Sequence, residues 1–471
     1  MAQNNSGSAS ATSIEINDVA PIPAGERHGK AWHLFTVWSS PNLEFATVFV
    51  GALGVLFFGL SLWQAILAVV VGNALAAITH GMLSTWGPQG GVPQMVLSRT
   101  AFGKLGNLIP AGLSTLVAGI GWFAVNTISG AFALQALTKI DLNVSLLIII
   151  AAQIIIAFVG HNLIQKWERY AFYVFLLVWV LVTVIILPKG EYSSAFGAFN
   201  IGGFTMAAGA AYGYTAGWTP FASDYTRYLP ANTDKRSLGW AAGLGNFVST
   251  SVLMVVGVVA FSILKTDADG TAKFVGLLGN DVLAAITLLA IAVGSVSANV
   301  LNVYSGAMSF LAMGFKLGFK TRRAIMVALA GVIGGWAAFA NVSTWKTLEG
   351  FLLVVSYWVA PWLAIVIVDR FLRKGQNFGE VATTIKENLA GPIAFVVATV
   401  TSIYFFSNQF PTYVAPGAVS GIFASNGFDK TLDDGTVIHI VVGGDATALV
   451  GFVLAGVLYF VLAKALKSTK K

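Results

Sequence analysis

Apolar stretches of roughly twenty residues or more, the length an α-helix needs to cross the ~30 Å hydrocarbon core of a bilayer, recur along almost the whole chain. They are continuous runs, without the short alternation of apolar and polar residues that marks the strands of a transmembrane barrel. Of 471 residues, 56% are hydrophobic and 10% charged, and the mean hydropathy is +0.77. The chain is therefore expected to be an all-α polytopic membrane protein.

Twelve spans are predicted, at 34–59, 61–83, 108–137, 144–161, 169–188, 202–222, 238–264, 281–313, 324–341, 347–368, 389–407 and 446–466. Placing the amino terminus in the cytoplasm assigns 21 of the 27 Lys and Arg residues to that side, from Arg27 and Lys30 to Lys471. The other side receives Lys139, Lys189, Lys265, Lys273, Lys346 and Lys430. This is the positive-inside pattern, so both termini are expected in the cytoplasm of a cell-membrane protein. The net charge of +7 is read as this topology signal, with no nucleic-acid partner. Residues 1–33 read as a polar tail without the apolar core of a cleavable signal, and 467–471 as a second, shorter tail. There is no cysteine, which excludes disulfides and thiolate metal sites.

Two connections stand out. Residues 86–94 are rich in turn formers, and 97–103 are expected to form a short helix on the membrane face. The outer connection 408–445 contains Asp429, Asp433, Asp434 and Asp445 and reads as solvated surface. Glu349, near the outer end of span 10, is likewise expected to face water.

Span 1 contains a stretch that a helix should not hold, Trp38-Ser39-Ser40-Pro41-Asn42-Leu43-Glu44-Phe45-Ala46-Thr47. Pro41 lacks an amide hydrogen and crowds the preceding turn, and Ser39, Ser40 and Asn42 compete for backbone hydrogen bonds. Glu44 is an ionisable group where hydrocarbon is expected. Backbone freed inside a membrane must be satisfied by protein, ion or trapped water, so the break should line a cavity. Span 6 repeats the defect with Gly209, Gly213, Gly217 and Pro220, then ends in Ser223-Asp224-Tyr225-Thr226-Arg227. Five spans separate the two breaks, an odd number, so the second copy enters the membrane in the opposite direction. That is the pattern of an inverted repeat, residues 34–188 against 202–368, with 389–466 as two added helices. Matching interruptions in inverted halves point to a transporter's midplane site. The plainer alternative is that the glycines only allow close helix packing.

Five ordered motifs carry a family resemblance. They are Phe58-Gly59-Leu60-Ser61-Leu62-Trp63-Gln64-Ala65 leading to Gly72-Asn73, Gly121-Trp122-Phe123-Ala124-Val125-Asn126, Ala222-Ser223-Asp224-Tyr225-Thr226-Arg227-Tyr228, Asn299-Val300-Leu301-Asn302-Val303-Tyr304-Ser305 and Tyr357-Trp358-Val359-Ala360-Pro361-Trp362. Together they resemble the nucleobase:cation symporter-1 family, most nearly its purine and cytosine permease branch, over residues 26–373. The resemblance implies a LeuT-type fold built on the 5+5 inverted repeat, working as a monomer. It also implies cation-coupled uptake of a flat nitrogen heterocycle, a nucleobase such as cytosine or a purine.

A nucleobase is a neutral aromatic plate edged with donors and acceptors, so its site should combine a stacking face with amide groups. Trp122 can supply the face, and Asn126, one helical turn on, can read the edge. Trp122 is otherwise a packing residue, and Asn126 a contact between helices. Asn299 and Asn302, three apart, share one face of span 8, where they either bond the base or tie span 8 to span 1. The resemblance makes Asn299 the substrate-contacting asparagine and places Tyr214, Thr215 and Gly217 of span 6 at the substrate. Asn42 and Glu44 join the candidate set from the break of span 1. Trp218 is either a gate or a packing residue, and Asp224 with Arg227 a turn later reads as an ion pair.

Coupling is left between two ions. Where family members use sodium, hydroxyls five and six residues before the asparagine help bind it, and here those positions are Val293 and Gly294. Ser295 and the carbonyls of span 1 remain possible sodium ligands. Glu44 offers protons another route, because low dielectric favours the neutral, protonated form of a carboxyl group. A charge at such a depth costs about 2.5–3.5 kcal/mol on insertion scales. A structural carboxylic acid bonded to a neighbouring helix is the third reading of Glu44. No cofactor is expected. His28, His33, His80, His161 and His439 are scattered, with no catalytic motif, so an enzyme is not expected. A symporter for hydantoin, allantoin or another vitamin-like ring is the alternative of the same class. A passive channel or facilitator is the alternative of another.

Overall fold

A computed structural model describes residues 19–159, 161–315, 321, 325, 328–341, 346–408, 428–431, 436–440 and 443–469. Residues 1–18 of the expected tail, Lys316, Lys320, Arg322, Arg323, Asp433, Asp434, Lys470 and Lys471 lie outside the described residues. Among the described residues, seven helices are long and apolar enough to cross a membrane, and a bent pair makes an eighth. Leu142–Ile156, Leu329–Asn341 and Ala390–Phe406 are shorter apolar helices.

The bent pair is span 1. His33–Ser39 runs into a 3-10 turn at Ser40–Asn42, and Phe45–Phe57 leaves at 63° to the first arm. Pro41 sits in the turn, and Glu44 caps the second arm with extended backbone, φ −148° and ψ 170°. Side chains and a turn amide take up the carbonyls that the break would otherwise expose. Asn42 Nδ2 donates to Trp38 O at 2.8 Å and Thr47 Oγ1 to Asn42 O at 2.7 Å. Leu43 N–H donates to Ser40 O at 3.1 Å, and Trp179 Nε1 to Leu43 O at 2.7 Å.

Span 6 is interrupted too. Ile201–Ala216 gives way to a 3-10 turn at Thr219–Phe221, which holds Pro220, and then to the short helix Ala222–Thr226. Span 3 carries a feature with no signature in its sequence, a π-helical turn at Val117–Trp122 between Leu108–Leu116 and Phe123–Thr138. Such turns hold an extra residue per turn and concentrate at functional sites. The long helices start where side chains satisfy their first amides. Asp234 Oδ2 accepts from Ser237 N at 2.7 Å before Lys235–Leu264, and Asn280 Oδ1 from Leu283 N at 2.9 Å before Asp281–Ala312.

Packing sorts the helices. Span 7 lies against spans 1 and 2, and span 6 against span 2. Span 8 lies against span 3, and both touch span 4. Lys346–Leu372, Ala390–Phe406 and Thr447–Ala465 pack together, with the first of them also lining span 6.

Three sequence expectations are corrected. The segment after span 2 forms the short helices Gly87–Gly90, Gln94–Leu97 and Arg99–Gly106, and it is buried in protein rather than laid on the membrane face. Ser98 accepts from Trp362 Nε1 at 2.9 Å, and Gln94 N–H donates to Asp224 Oδ1 at 2.9 Å. Asp445 is also buried. It accepts from the Tyr357 hydroxyl, from Asn408 N at 2.9 Å and from Thr447 N at 2.9 Å, which ties the middle of span 10 to the adjoining ends of spans 11 and 12. Glu349 is buried as well. By contrast Asp429 is exposed, paired with His439 at 2.8 Å across the antiparallel strands Phe428–Thr431 and Val437–Ile440.

Candidate functional site

The two breaks face each other through Glu44 and Tyr214. Both side chains are buried, and Tyr214 donates its hydroxyl to Glu44 Oε1 at 3.1 Å. The same hydroxyl meets Thr47 Oγ1 at 2.6 Å. Because Thr47 also donates to Asn42 O, this chain of hydroxyls runs from the turn of span 1 to the carboxyl group. Among the described residues Glu44 Oε2 has no hydrogen-bond partner. Leaving a buried carboxyl oxygen unpaired costs about 1–3 kcal/mol or more, so this atom is primed for a donor.

The aromatic wall forms around Trp122. Its ring meets Tyr214 edge to face at 5.2 Å and 88°, and Phe351 of span 10 at 5.1 Å and 84°. Gly217 completes the contact, because a Cβ there would lie 3.0 Å from Trp122 Cζ2. Trp122 is the last residue of the π turn, so the extra residue of that turn sets where its ring points.

One turn further along span 3, the three amides meet. Asn126 Nδ2 donates to Asn299 Oδ1 at 2.9 Å, and Asn302 Nδ2 to the same oxygen at 3.3 Å. Asn299 Nδ2 donates to Phe123 O at 2.9 Å, which pins span 8 to span 3. Among the described residues Asn126 Oδ1 and Asn302 Oδ1 have no partner, so two buried acceptors remain free.

Other candidates lie in the ties that hold the breaks in place. Asn42 Nδ2 approaches Asn246 Oδ1 and Ser249 Oγ at 3.2 Å each, while Asn42 Oδ1 accepts from Trp218 Nε1 at 2.9 Å. Thr215 Oγ1 donates to Asn73 Oδ1 at 2.7 Å, and Thr215 O accepts from Asn246 Nδ2 at 3.2 Å. These contacts fix spans 1 and 6 to spans 2 and 7. Ser295 donates to Ala292 O at 2.8 Å and sits against Gly130 of span 3. Gly294 of span 8 packs against the break, with the site of its missing Cβ 3.4 Å from Leu43 O.

Sequence reading missed Trp179, Asn246, Asn73 and Phe351. Asn73 lies in a quoted motif and Asn246 is an amide inside an apolar span, so both carried a visible signal. Trp179 and Phe351 are aromatic residues in apolar helices and carried none.

Three comparisons with known proteins bear on the chain as a whole. A model of the family described as permease for cytosine/purines, uracil, thiamine, allantoin matches residues 21–426. YxlA of Bacillus subtilis is 29% identical, over 96% of each chain. The purine-cytosine permease fcyB of Emericella nidulans is 28% identical, over 88% of this chain and 85% of its own. The structure of Mhp1, a nucleobase-cation-symport-1 family transporter in a closed conformation with bromovinylhydantoin bound, superposes with a TM-score of 0.71 at 18% identity, covering 97% of both chains. Membership of a permease family makes this multi-pass membrane protein a transporter and not an enzyme. The chain belongs to the nucleobase:cation symporter-1 family, among the permeases for cytosine/purines, uracil, thiamine and allantoin.

Proposed function

We propose that this chain is a secondary active transporter that takes up a nucleobase, cytosine or a purine, in symport with protons. The observation that carries this reading is the run of contacts from Glu44 to Tyr214 and from Tyr214 to Trp122, with the three amides meeting one turn further along span 3. A flat heterocycle against Trp122 would offer ring N–H or amino donors to Glu44 Oε2 and to the free oxygens of Asn126 and Asn302. Asn299, at the hub of the amides, positions the other two and presents its edge to the base. Gly217 leaves the room that the tryptophan needs. Asn42 and Thr215 act as positioning residues that hold the two breaks in register.

Proton coupling is favoured over sodium by the state of the span 1 carbonyls. Trp38, Ser40, Asn42 and Leu43 carbonyls each accept from a protein donor. A sodium ion needs several oxygens, whereas Val293 and Gly294 of span 8 bring no hydroxyl and Ser295 donates to Ala292 O and packs on Gly130 of span 3. Glu44 has the burial and the free oxygen to bind a proton on one side and release it on the other.

The transport cycle we infer is alternating access across twelve spans with both termini in the cytoplasm, each monomer acting alone. Spans 1, 2, 6 and 7 rock against spans 3, 4, 8 and 9, and span 10 closes the outer path by laying Phe351 on Trp122. A hydantoin or allantoin ring is the second reading, favoured by the bromovinylhydantoin bound to Mhp1 and by the family description. The test is uptake of radiolabelled cytosine by vesicles containing the purified chain, in competition with adenine, hypoxanthine, uracil, hydantoin and allantoin. Cytosine uptake displaced by purines supports the first reading. Uptake displaced only by the hydantoins would move the assignment to the second, and the absence of uptake and competition would end the cytosine assignment.

A further inference from the structure

Away from the site, spans 2 and 7 part on their outer side to leave a groove of about 470 Å³. Its walls are apolar, formed by Ala74, Ile78 and Met82 from span 2 and by Gly243, Leu244 and Phe247 from span 7. The polar Thr85 of the lining commits its hydroxyl to Met82 O at 2.7 Å. Lys235 and Arg236 stand at one end, both exposed, with Trp240 one turn deeper and 62% exposed.

The dimensions suit one kind of molecule. Helix rise places Lys235 and Phe247 about 18 Å apart along the axis, slightly more than half of the ~30 Å hydrocarbon core. The groove therefore runs from the interface to near the midplane, the reach of a single leaflet. Trp240 sits at the depth where interfacial aromatics anchor helices. An apolar trough with cations at its outer end has the polarity of a phospholipid, acyl chain below and phosphate above. Asp234 is the acidic neighbour, but its carboxylate caps the helix through Ser237 N at 2.7 Å. The mouth is left with two cations against one committed anion.

We propose that this groove binds an anionic phospholipid, with its phosphate on Lys235 and Arg236 and one acyl chain along the seam of spans 2 and 7. The occupied seam bridges two helices of the group that moves in the transport cycle, so lipid occupancy steadies that group as a unit. Assignment to the cytoplasmic leaflet rests on the proposed topology, whereas the match between groove and lipid does not.

The experiment is native mass spectrometry of the full chain in detergent, titrated with phosphatidylglycerol or phosphatidylcholine of identical acyl chains. Thermal melting is followed alongside. The wild type should retain phosphatidylglycerol preferentially and melt higher in its presence. Lys235→Ala/Arg236→Ala should lose that preference, by about tenfold or more in affinity for two basic residues beside anionic lipid, while phosphatidylcholine binding is unchanged. Leu244→Trp, which fills the trough, should reduce binding of both lipids. Melting of each variant without lipid, close to that of the wild type, shows that it is folded. Equal retention of both lipids by the wild type would overturn the proposal, as would a preference that survives Lys235→Ala/Arg236→Ala. A dimer that excludes lipid from the groove would overturn it as well.

Discussion

The indole N–H of Trp179 donates to the Leu43 carbonyl at 2.7 Å, so a helix 5 side chain holds the carbonyl that the break of span 1 turns towards span 8. A donor there repels a cation from the same oxygen. Trp179→Phe keeps an aromatic ring but leaves that buried carbonyl unpaired, at a cost of about 1–3 kcal/mol. Thermal melting should show the loss. Replacing potassium by sodium should leave the melting of the wild type unchanged, and a sodium-specific rise in the wild type would contradict proton-only coupling.

Tyr214 donates its hydroxyl to Glu44, meets Thr47 Oγ1 with the same oxygen, and sets its ring edge to face with Trp122. Tyr214→Phe separates the two roles, keeping the ring and removing the hydroxyl. Substrate affinity should fall only about twofold to tenfold, the worth of one hydrogen bond. The pH dependence of uptake should change as well, since the Tyr214 hydroxyl rests on the carboxyl group assigned to the proton. Uptake measured across pH checks both, and an unchanged profile would separate Tyr214 from the proton step.

Trp122 is assigned the stacking face. Stacking of a base on an aromatic side chain is worth about 1–3 kcal/mol, so Trp122→Ala should weaken cytosine binding roughly fivefold to a hundredfold. Trp122→Phe should recover most of it. Calorimetric binding to the two variants distinguishes stacking from packing, because a packing residue would lower the melting temperature without this ordered effect on affinity.

The amide hub predicts a graded series. Asn299 accepts from Asn126 and Asn302 and donates to Phe123 O, so Asn299→Ala orphans several groups and should reduce both stability and binding. Asn126→Ala frees the hub but removes one acceptor aimed at substrate, and should reduce binding by about tenfold with a smaller loss of stability. Equal effects of the two substitutions on binding and melting would make the hub a purely structural tie.

Much of this was legible in the sequence for definite reasons. Pro41 and Glu44 announced the break of span 1, and Gly217 and Pro220 that of span 6, because each violates helix chemistry locally. Trp122, Asn126, Asn299 and Asn302 were visible as polar or aromatic groups at helical spacing. What was not legible depends on contacts distant in sequence. Asp445 looked like one more loop acid until Tyr357, 88 residues away, closed over it, and Glu349 looked wet from its position alone. The π turn that ends at Trp122 leaves no periodic mark, although it sets the direction of that ring. The ties of Asn42 to Trp218 and of Thr215 to Asn73 join residues 176 and 142 positions apart, which spacing along the chain does not reveal.

Glu44 is the group proposed to carry the coupling proton. Accumulation of radiolabelled cytosine in vesicles, under an imposed pH gradient or a sodium gradient, tests this role most directly when the wild type is set beside Glu44→Gln. The wild type should accumulate cytosine uphill when the outside is acidic and should not respond to sodium, and the variant should still exchange cytosine but no longer accumulate it. Undiminished pH-driven accumulation by Glu44→Gln would contradict that role, as would wild-type accumulation that follows sodium alone.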